Sequence, residues 1–312
     1  MKFALGAAPR GAESETPMDF ARAAEQMGFD SVWTGEHIFL PVERTEEKVW
    51  NIRDGDVPDE YKSMVDPFIA AMAAAAVTTR LKVGTFVALV PQRNPLITAK
   101  EVATIDHFSN GRFQFGIGTG WIKAEADIMG YPFEKRWPIT SEYVRAMKAL
   151  WTEDVTSFDG EFISFPPLYS APKPTQKPHP PILIGAGTPA TKAMGTLLKR
   201  VVLESDGWLP MFFTPEQFAP IMKRLKDVCE EHGRDFSELD TTLMVTGYTL
   251  GFGEKLDKWL PGMDLPEPTN TQELIQEYEE MGVTRIIIGQ DFMAKDNGLK
   301  NLEKAATTLN LF

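Results

Sequence analysis

One histidine lies where chemistry is expected. His37 follows residues 29–33, which have the residue types of a buried strand, and it is directly preceded by Glu36. Histidine titrates near neutral pH, so a histidine at a strand end can donate or accept a proton at a reacting ring. The alternative is a loop histidine whose nitrogens are satisfied by the backbone. We predict that His37 and Glu36 are catalytic.

Two glycine-rich turns follow apolar segments. Residues 112–117 end in Gly118-Thr119-Gly120, and residues 181–185 end in Gly185-Ala186-Gly187-Thr188, followed by Pro189. A strand, a glycine turn and a helix together present backbone N–H groups to a bound anion. We therefore predict a helix from Pro189, capped by Thr188, whose first turn binds a phosphate. A plain strand-to-helix turn is the alternative for the second segment.

Other kinds of catalytic site find little support. The sequence has no HxH, HExxH or GxSxG motif and no second histidine near His37, so we predict neither a metal site nor a serine nucleophile. The segment Val87-Ala88-Leu89-Val90-Pro91 keeps apolar residues where a polar loop is expected. A ligand with a flat, apolar ring system explains this feature, and so does burial beneath the long loops.

The elements that position these residues alternate regularly. Apolar strand segments are predicted at residues 2–8, 29–33, 81–90, 112–117, 181–185, 206–209, 241–250 and 285–289. Helices are predicted at 17–28, 67–79, 95–108, 141–151, from 189, 215–232, 272–282 and 299–309. This order fits a (β/α)₈ TIM barrel, an α/β fold, as a single domain over residues 1–312. We expect insertions near 39–65, 152–180 and 252–270, the second with a hairpin turned at Asp159-Gly160. A doubly wound open sheet is the rival, but the sequence lacks an early GxGxxG.

Composition limits the setting of the protein. The chain has 312 residues and a net charge of −12, which argues against nucleic acid and anionic membranes as partners. No window approaches the roughly 18 apolar residues of a membrane span. One cysteine, Cys229, excludes an internal disulfide and favours a cytoplasmic location.

Several stretches together resemble one known family. They are FARAAEQMGFDSVWTGEH at 20–37, DPFIAAMAAAAVTTRLKVGT at 66–85, NPLITAKEVATIDHFSNGRFQFGIGTGW at 94–121, PPILIGAGTPA at 180–190 and DGWLP at 206–210. They resemble the bacterial-luciferase-like flavin- and deazaflavin-dependent oxidoreductases. The length and ending look most like the branch that uses coenzyme F420, whereas other branches use FMN.

The resemblance implies a (β/α)₈ barrel with a flavin or deazaflavin ring at its mouth. It also implies a non-proline cis peptide at Phe86-Val87 or Val87-Ala88, and a phosphate held by the second glycine turn. The chain departs from the commoner pattern at Glu36, where Asp is frequent, and at Ala186, where Gly is frequent. The implied cofactor-binding residues are Ala7, His37, Phe86, Val87, Ala88, Gly118, Thr119, Gly185, Ala186, Gly187 and Thr188.

The function implied is an F420-dependent oxidoreductase that transfers hydride to or from a small organic substrate. An FMN-dependent monooxygenase of the same family and a non-catalytic flavin-binding barrel are the alternatives. Arg93 and Lys123 are candidates for meeting the anionic tail of F420, or are solvated loop charges. Family members are often dimers, so a homodimer is expected.

Overall fold

A closed barrel of eight parallel strands forms the centre of the computed structural model, which describes residues 1–7, 16–42, 48–49, 52–53, 59–189, 191–253, 270–289 and 298–311. Each strand pairs in parallel with its neighbours in chain order, and the last pairs with the first. The predicted TIM barrel is confirmed. The strands are β1 Lys2–Ala7, β2 Ser31–Thr34, β3 Lys82–Thr85, β4 Phe113–Gly118, β5 Ile182–Gly185, β6 Gly207–Leu209, β7 Asp240–Val245 and β8 Arg285–Ile288.

Helices cover the outside of the barrel. Four of them begin at a proline, Pro17, Pro67, Pro95 or Pro215, that follows an Asp, Asn or Thr cap, which satisfies the first free backbone N–H groups. No helix in the described residues is long and apolar enough to span a membrane. The helices are α1 Pro17–Gln26, α2 Pro67–Ala76, α3 Pro95–Phe108, α4 Lys123–Met129, α5 Arg136–Thr152, α6 Met194–Glu204, α7 Pro215–Glu231, α8 Thr271–Met281 and α9 Gly298–Thr308.

The third strand differs from its prediction. Instead of one run over 81–90, β3 stops at Thr85, and pairing with β4 resumes only at Ala88–Leu89. The peptide between Phe86 and Val87 is cis, at the first of the two expected positions. A side chain at Gly118 or Gly185 would overlap the methyl groups of Val87. The interruption therefore packs into space that two glycines leave open.

Other boundaries were also predicted wrongly. Strand β7 ends at Val245 and not at residue 250, where the chain has already turned. Helix α6 begins at Met194 rather than Pro189, because a turn closes first: Thr188 N–H donates to Thr191 Oγ1 at 2.9 Å, and Thr191 N–H donates to the Thr188 carbonyl at 2.9 Å. The hairpin Val155–Asp159 and Ser164–Tyr169 is joined by residues 160–163 and not by a two-residue turn. The carboxylate of Glu142 accepts three backbone N–H bonds from residues 161–163, which holds the wider turn.

The barrel interior is filled by side chains. Trp33 is fully buried, and a Cβ at Gly84 would come within 2.6 Å of its ring, so glycine on β3 makes room for the indole. Trp33 belongs to one apolar cluster whose partly exposed members, Phe86, Val87, Met211 and Phe212, lie beyond the strand ends. The core thus continues into an apolar mouth. The insertion predicted over 252–270 lies outside the described residues except for Phe252, Gly253 and Asn270.

Candidate active site

The predicted site residues meet at the C-terminal rim of the barrel. His37 follows β2, Leu89 pairs with Gly118 at the end of β4, and Ile184 of β5 pairs with Ile117. A Cβ at Gly118 would lie 3.7 Å from the Gly185 carbonyl oxygen, so the two glycine turns are neighbours at one end of the molecule. This is the rim where barrel enzymes carry their chemistry.

A buried histidine–carboxylate pair lies at this rim. His37 Nδ1 is 2.6 Å from Glu125 Oε1, and the two residues are only 7% and 1% exposed. Gln92 Nε2 donates to the other carboxylate oxygen of Glu125 at 3.0 Å. Among the residues that the structure describes, no hydrogen bond is made by the second ring nitrogen of His37, Nε2. One nitrogen of the ring is therefore fixed and the other is available.

Aromatic rings enclose the imidazole. The Tyr61 ring, from the 3₁₀ turn Asp59–Ser63, has its centroid 4.8 Å from that of His37. The Trp121 indole, which precedes α4, meets His37 edge-on at 6.0 Å. Such walls limit the access of water to the ring, which strengthens its polar interactions.

Glu36 belongs to a different network from His37. Its Oε1 accepts from the Arg93 guanidinium, with Nε at 2.7 Å, and its Oε2 accepts from Leu89 N–H at 2.6 Å. Arg93 also bonds Asp66 at 2.6 Å and Glu101 at 3.5 Å. Burial raises the pKa of Glu36, although the guanidinium and the Leu89 N–H oppose that rise. These contacts favour a role for Glu36 in holding the segment after β3, and its catalytic role stays a prediction.

The two cations considered for an anionic cofactor tail are both engaged. Arg93 contacts three carboxylates and lies 4.5 Å from the centre of the Phe68 ring. Lys123 pairs with Asp127 one turn along α4 at 2.8 Å. Arg93 is thereby committed to the structure of the rim rather than to a ligand.

The second glycine turn has the features of an anion site without a helix start. Thr188 is fully buried, and its hydroxyl has no hydrogen-bond partner among the described residues. Because buried hydroxyls are normally paired, an acceptor such as a phosphate oxygen fits there. Gly187 has φ +102°, which only glycine adopts readily. Since α6 starts six residues after Thr188, the helix start predicted at Pro189 is wrong, and the phosphate contact of this turn stays a prediction.

The remaining predicted residues divide between the floor and the strands. Phe86 and Val87 join Met211 and Phe212 in a partly exposed apolar floor, which fits a flat ring. Ala88 is buried beside Ile117, Thr119 is half-buried, and the Ala186 carbonyl accepts from the Trp208 indole at 2.7 Å. Ala7 ends β1. Within the described part of the chain, no group of His, Cys, Asp and Glu residues could hold a metal ion.

The comparisons with known proteins decide the family. A family model described as luciferase-like monooxygenase matches residues 4–249. The chain belongs to this family. An uncharacterized protein of Mycobacterium tuberculosis is 33% identical over 296 residues, which is 94% of each chain. An F420-dependent glucose-6-phosphate dehydrogenase of Kineococcus radiotolerans is 30% identical over 73% of this chain and 62% of its own length. The solved structure of monooxygenase RslO1 from Streptomyces bottropensis superposes with a TM-score of 0.75 at 20% identity and covers 99% of both chains.

Sequence reasoning missed Glu125, Gln92 and Tyr61. One signal was present for Glu125, because Ile122, at the N-cap of α4, and Glu125 and Ala126, within the helix, are buried at i, i+3 and i+4 spacing. A carboxylate on a buried helix face needs a partner. Nothing in the local sequence of Gln92 or Tyr61 marks either residue.

Proposed function

We propose that the protein is a two-electron oxidoreductase that uses coenzyme F420 and acts on a small organic substrate at the barrel mouth. The observation that carries the proposal is the His37–Glu125 pair, which is buried at the same rim of the barrel as the apolar floor. The family includes a relative named as F420-dependent, which supports this cofactor. When bound, a deazaflavin ring supplies a hydride donor or acceptor.

The residues of the chain supply binding and proton transfer. Phe86, Val87 and Met211 would hold the ring by apolar contact, and the Thr188 hydroxyl would donate to a phosphate oxygen. His37 moves a proton to or from the substrate at Nε2, the nitrogen that Glu125 leaves available. Tyr61 and Trp121 keep water from the imidazole while the substrate is bound.

An FMN-dependent monooxygenase is the second candidate, because the matching family model is described as luciferase-like monooxygenase. The same floor and the same Thr188 hydroxyl suit either ring and phosphate. The two candidates differ in which cofactor the purified protein binds more tightly and in whether turnover needs oxygen.

The test is a titration with F420 and with FMN, followed by anaerobic turnover with a panel of small alcohols and ketones. We expect tighter binding of F420, and an absorbance change of the bound cofactor without oxygen. His37→Asn should keep the cofactor affinity but lower kcat by about 10²–10⁴-fold. His107→Asn, at an exposed position on α3, is the matched control and should leave both unchanged.

Three results would count against this function. Tighter binding of FMN with oxygen-dependent turnover favours the monooxygenase. Cofactor binding without turnover on any substrate favours a binding protein. Full activity of the His37→Asn variant would show that His37 takes no part in the reaction.

A further inference from the structure

We propose that Glu125 is a positioning residue, held by Gln92, that fixes the proton of neutral His37 on Nδ1 and so leaves Nε2 as a proton acceptor. The proposal deepens the function above and rests on it for the effect on turnover. The tautomer itself can be measured without any cofactor.

The chemistry of the contact supports this tautomer. An ionised carboxylate only accepts hydrogen bonds, so at 2.6 Å from Glu125 Oε1 the imidazole Nδ1 must donate. In a neutral ring the proton is then absent from Nε2. A buried charge-assisted bond of this kind holds the ring orientation as well as the proton.

Gln92 fixes the carboxylate in turn. Its Nε2 donates to Glu125 Oε2 at 3.0 Å, so each carboxylate oxygen has one partner. Gln92 and Glu125 are 6% and 1% exposed, which limits exchange of these partners with water. Without Gln92, the carboxylate could rotate away from His37.

In the part of the chain that the structure describes, no lysine or arginine forms an ion pair with Glu125. Burial raises the pKa of the Tyr131 phenol, its contact with Gln92 opposes that rise, and the charge of Glu125 adds to it. Among the described residues, the groups that contact the imidazole are Glu125 from α4 and the rings of Tyr61 and Trp121, while neighbouring Glu36 is bonded to Arg93.

The protons of the His37–Glu125 pair can also be placed the other way round. If Glu125 were protonated, its O–H would donate to Nδ1, and the ring proton would lie on Nε2. The two arrangements have the same heavy-atom positions and differ only in where the protons lie. They therefore make opposite predictions for a method that reads each ring nitrogen.

The test is ¹⁵N NMR of the full chain with labelled histidine, at a pH where His37 is neutral. The chain has four histidines, and His37→Asn identifies the His37 signals by their loss. We expect a protonated Nδ1 and an unprotonated Nε2 in the native protein. Glu125→Gln should lose this single-tautomer spectrum, and Gln92→Leu should weaken it. Glu142→Gln is the matched control, since Glu142 is a buried carboxylate that caps the hairpin, and it should leave the His37 signals unchanged.

Kinetics adds a second measurement on the loaded enzyme. Glu125→Gln should lower kcat by about tenfold or more, less than His37→Asn does, with the cofactor affinity retained. An Nε2–H tautomer in the native protein, or an unchanged spectrum in a folded Glu125→Gln, overturns the proposal. The native measurement decides even if that variant does not fold. If the tautomer is as expected but no cofactor binds, the proposed function fails and the positioning role stands.

Discussion

Two neighbouring residues at the rim belong to different hydrogen-bond networks. Glu36 and His37 are adjacent in sequence, yet Glu36 bonds Arg93 and Leu89 while His37 bonds Glu125. Position at a strand end identified His37 as a candidate, because strand ends in barrels are where function lies. The same reasoning could not identify Glu125, which is 88 residues away in the chain and meets His37 only in the folded protein.

Glu36→Gln tests the separation of the two networks. The variant keeps an acceptor for Leu89 N–H but removes the negative partner of a largely buried guanidinium. We expect the free energy of unfolding, measured by urea denaturation, to fall by about 1–3 kcal/mol. The loss is limited to this range because Asp66 and Glu101 still pair with Arg93. The His37 tautomer should not change. A change in the tautomer without a loss of stability would show that the networks are coupled.

At the scale of elements, the sequence predicted strands and helices well and their interruptions poorly. The apolar run at 81–90 looks continuous, because nothing local shows that Val87 will pack against Gly118 and Gly185. Pro189 looks like a helix start, because the bond between Thr188 N–H and the Thr191 hydroxyl is one of several equally good local choices. Both errors fall at the rim, where tertiary contacts override local preference.

The fit of Val87 against the glycines can be tested by paired substitution. Gly185→Ala places a methyl group where the Val87 side chain lies, so we expect a loss of about 1–3 kcal/mol in unfolding free energy and weaker cofactor binding. Val87→Ala removes the overlapping methyl groups. The double variant should therefore be more stable than the sum of the single effects predicts. Additive effects in a thermal or urea denaturation series would contradict this contact.

At the scale of the whole molecule, the count and spacing of strands were enough to predict a closed barrel. Closure is what brings residues from β2, β4 and β5 to a single rim, and it could be inferred without knowing any contact. What closes the opposite end could not be inferred. There Arg285, only 1% exposed on β8, donates to Asp30 before β2 at 2.8 Å and to Asp240 on β7 at 3.1 Å.

Asp240→Asn tests how far this ion network stabilises the barrel. Burial alone would raise the pKa of Asp240, but the Arg285 charge and hydrogen bonds from Thr242 and Thr284 lower it below its usual value of 3.8. A carboxyl whose pKa is lower in the folded state stabilises the protein above its unfolded pKa, and this contribution is lost as pH falls through the folded pKa. We expect the variant to lose about 1–3 kcal/mol at pH 7, since Arg285 keeps Asp30. In urea denaturation, the difference in unfolding free energy between the variant and the native protein should shrink below about pH 4. A difference that stays constant across pH would mean that Asp240 acts through packing and not through its charge.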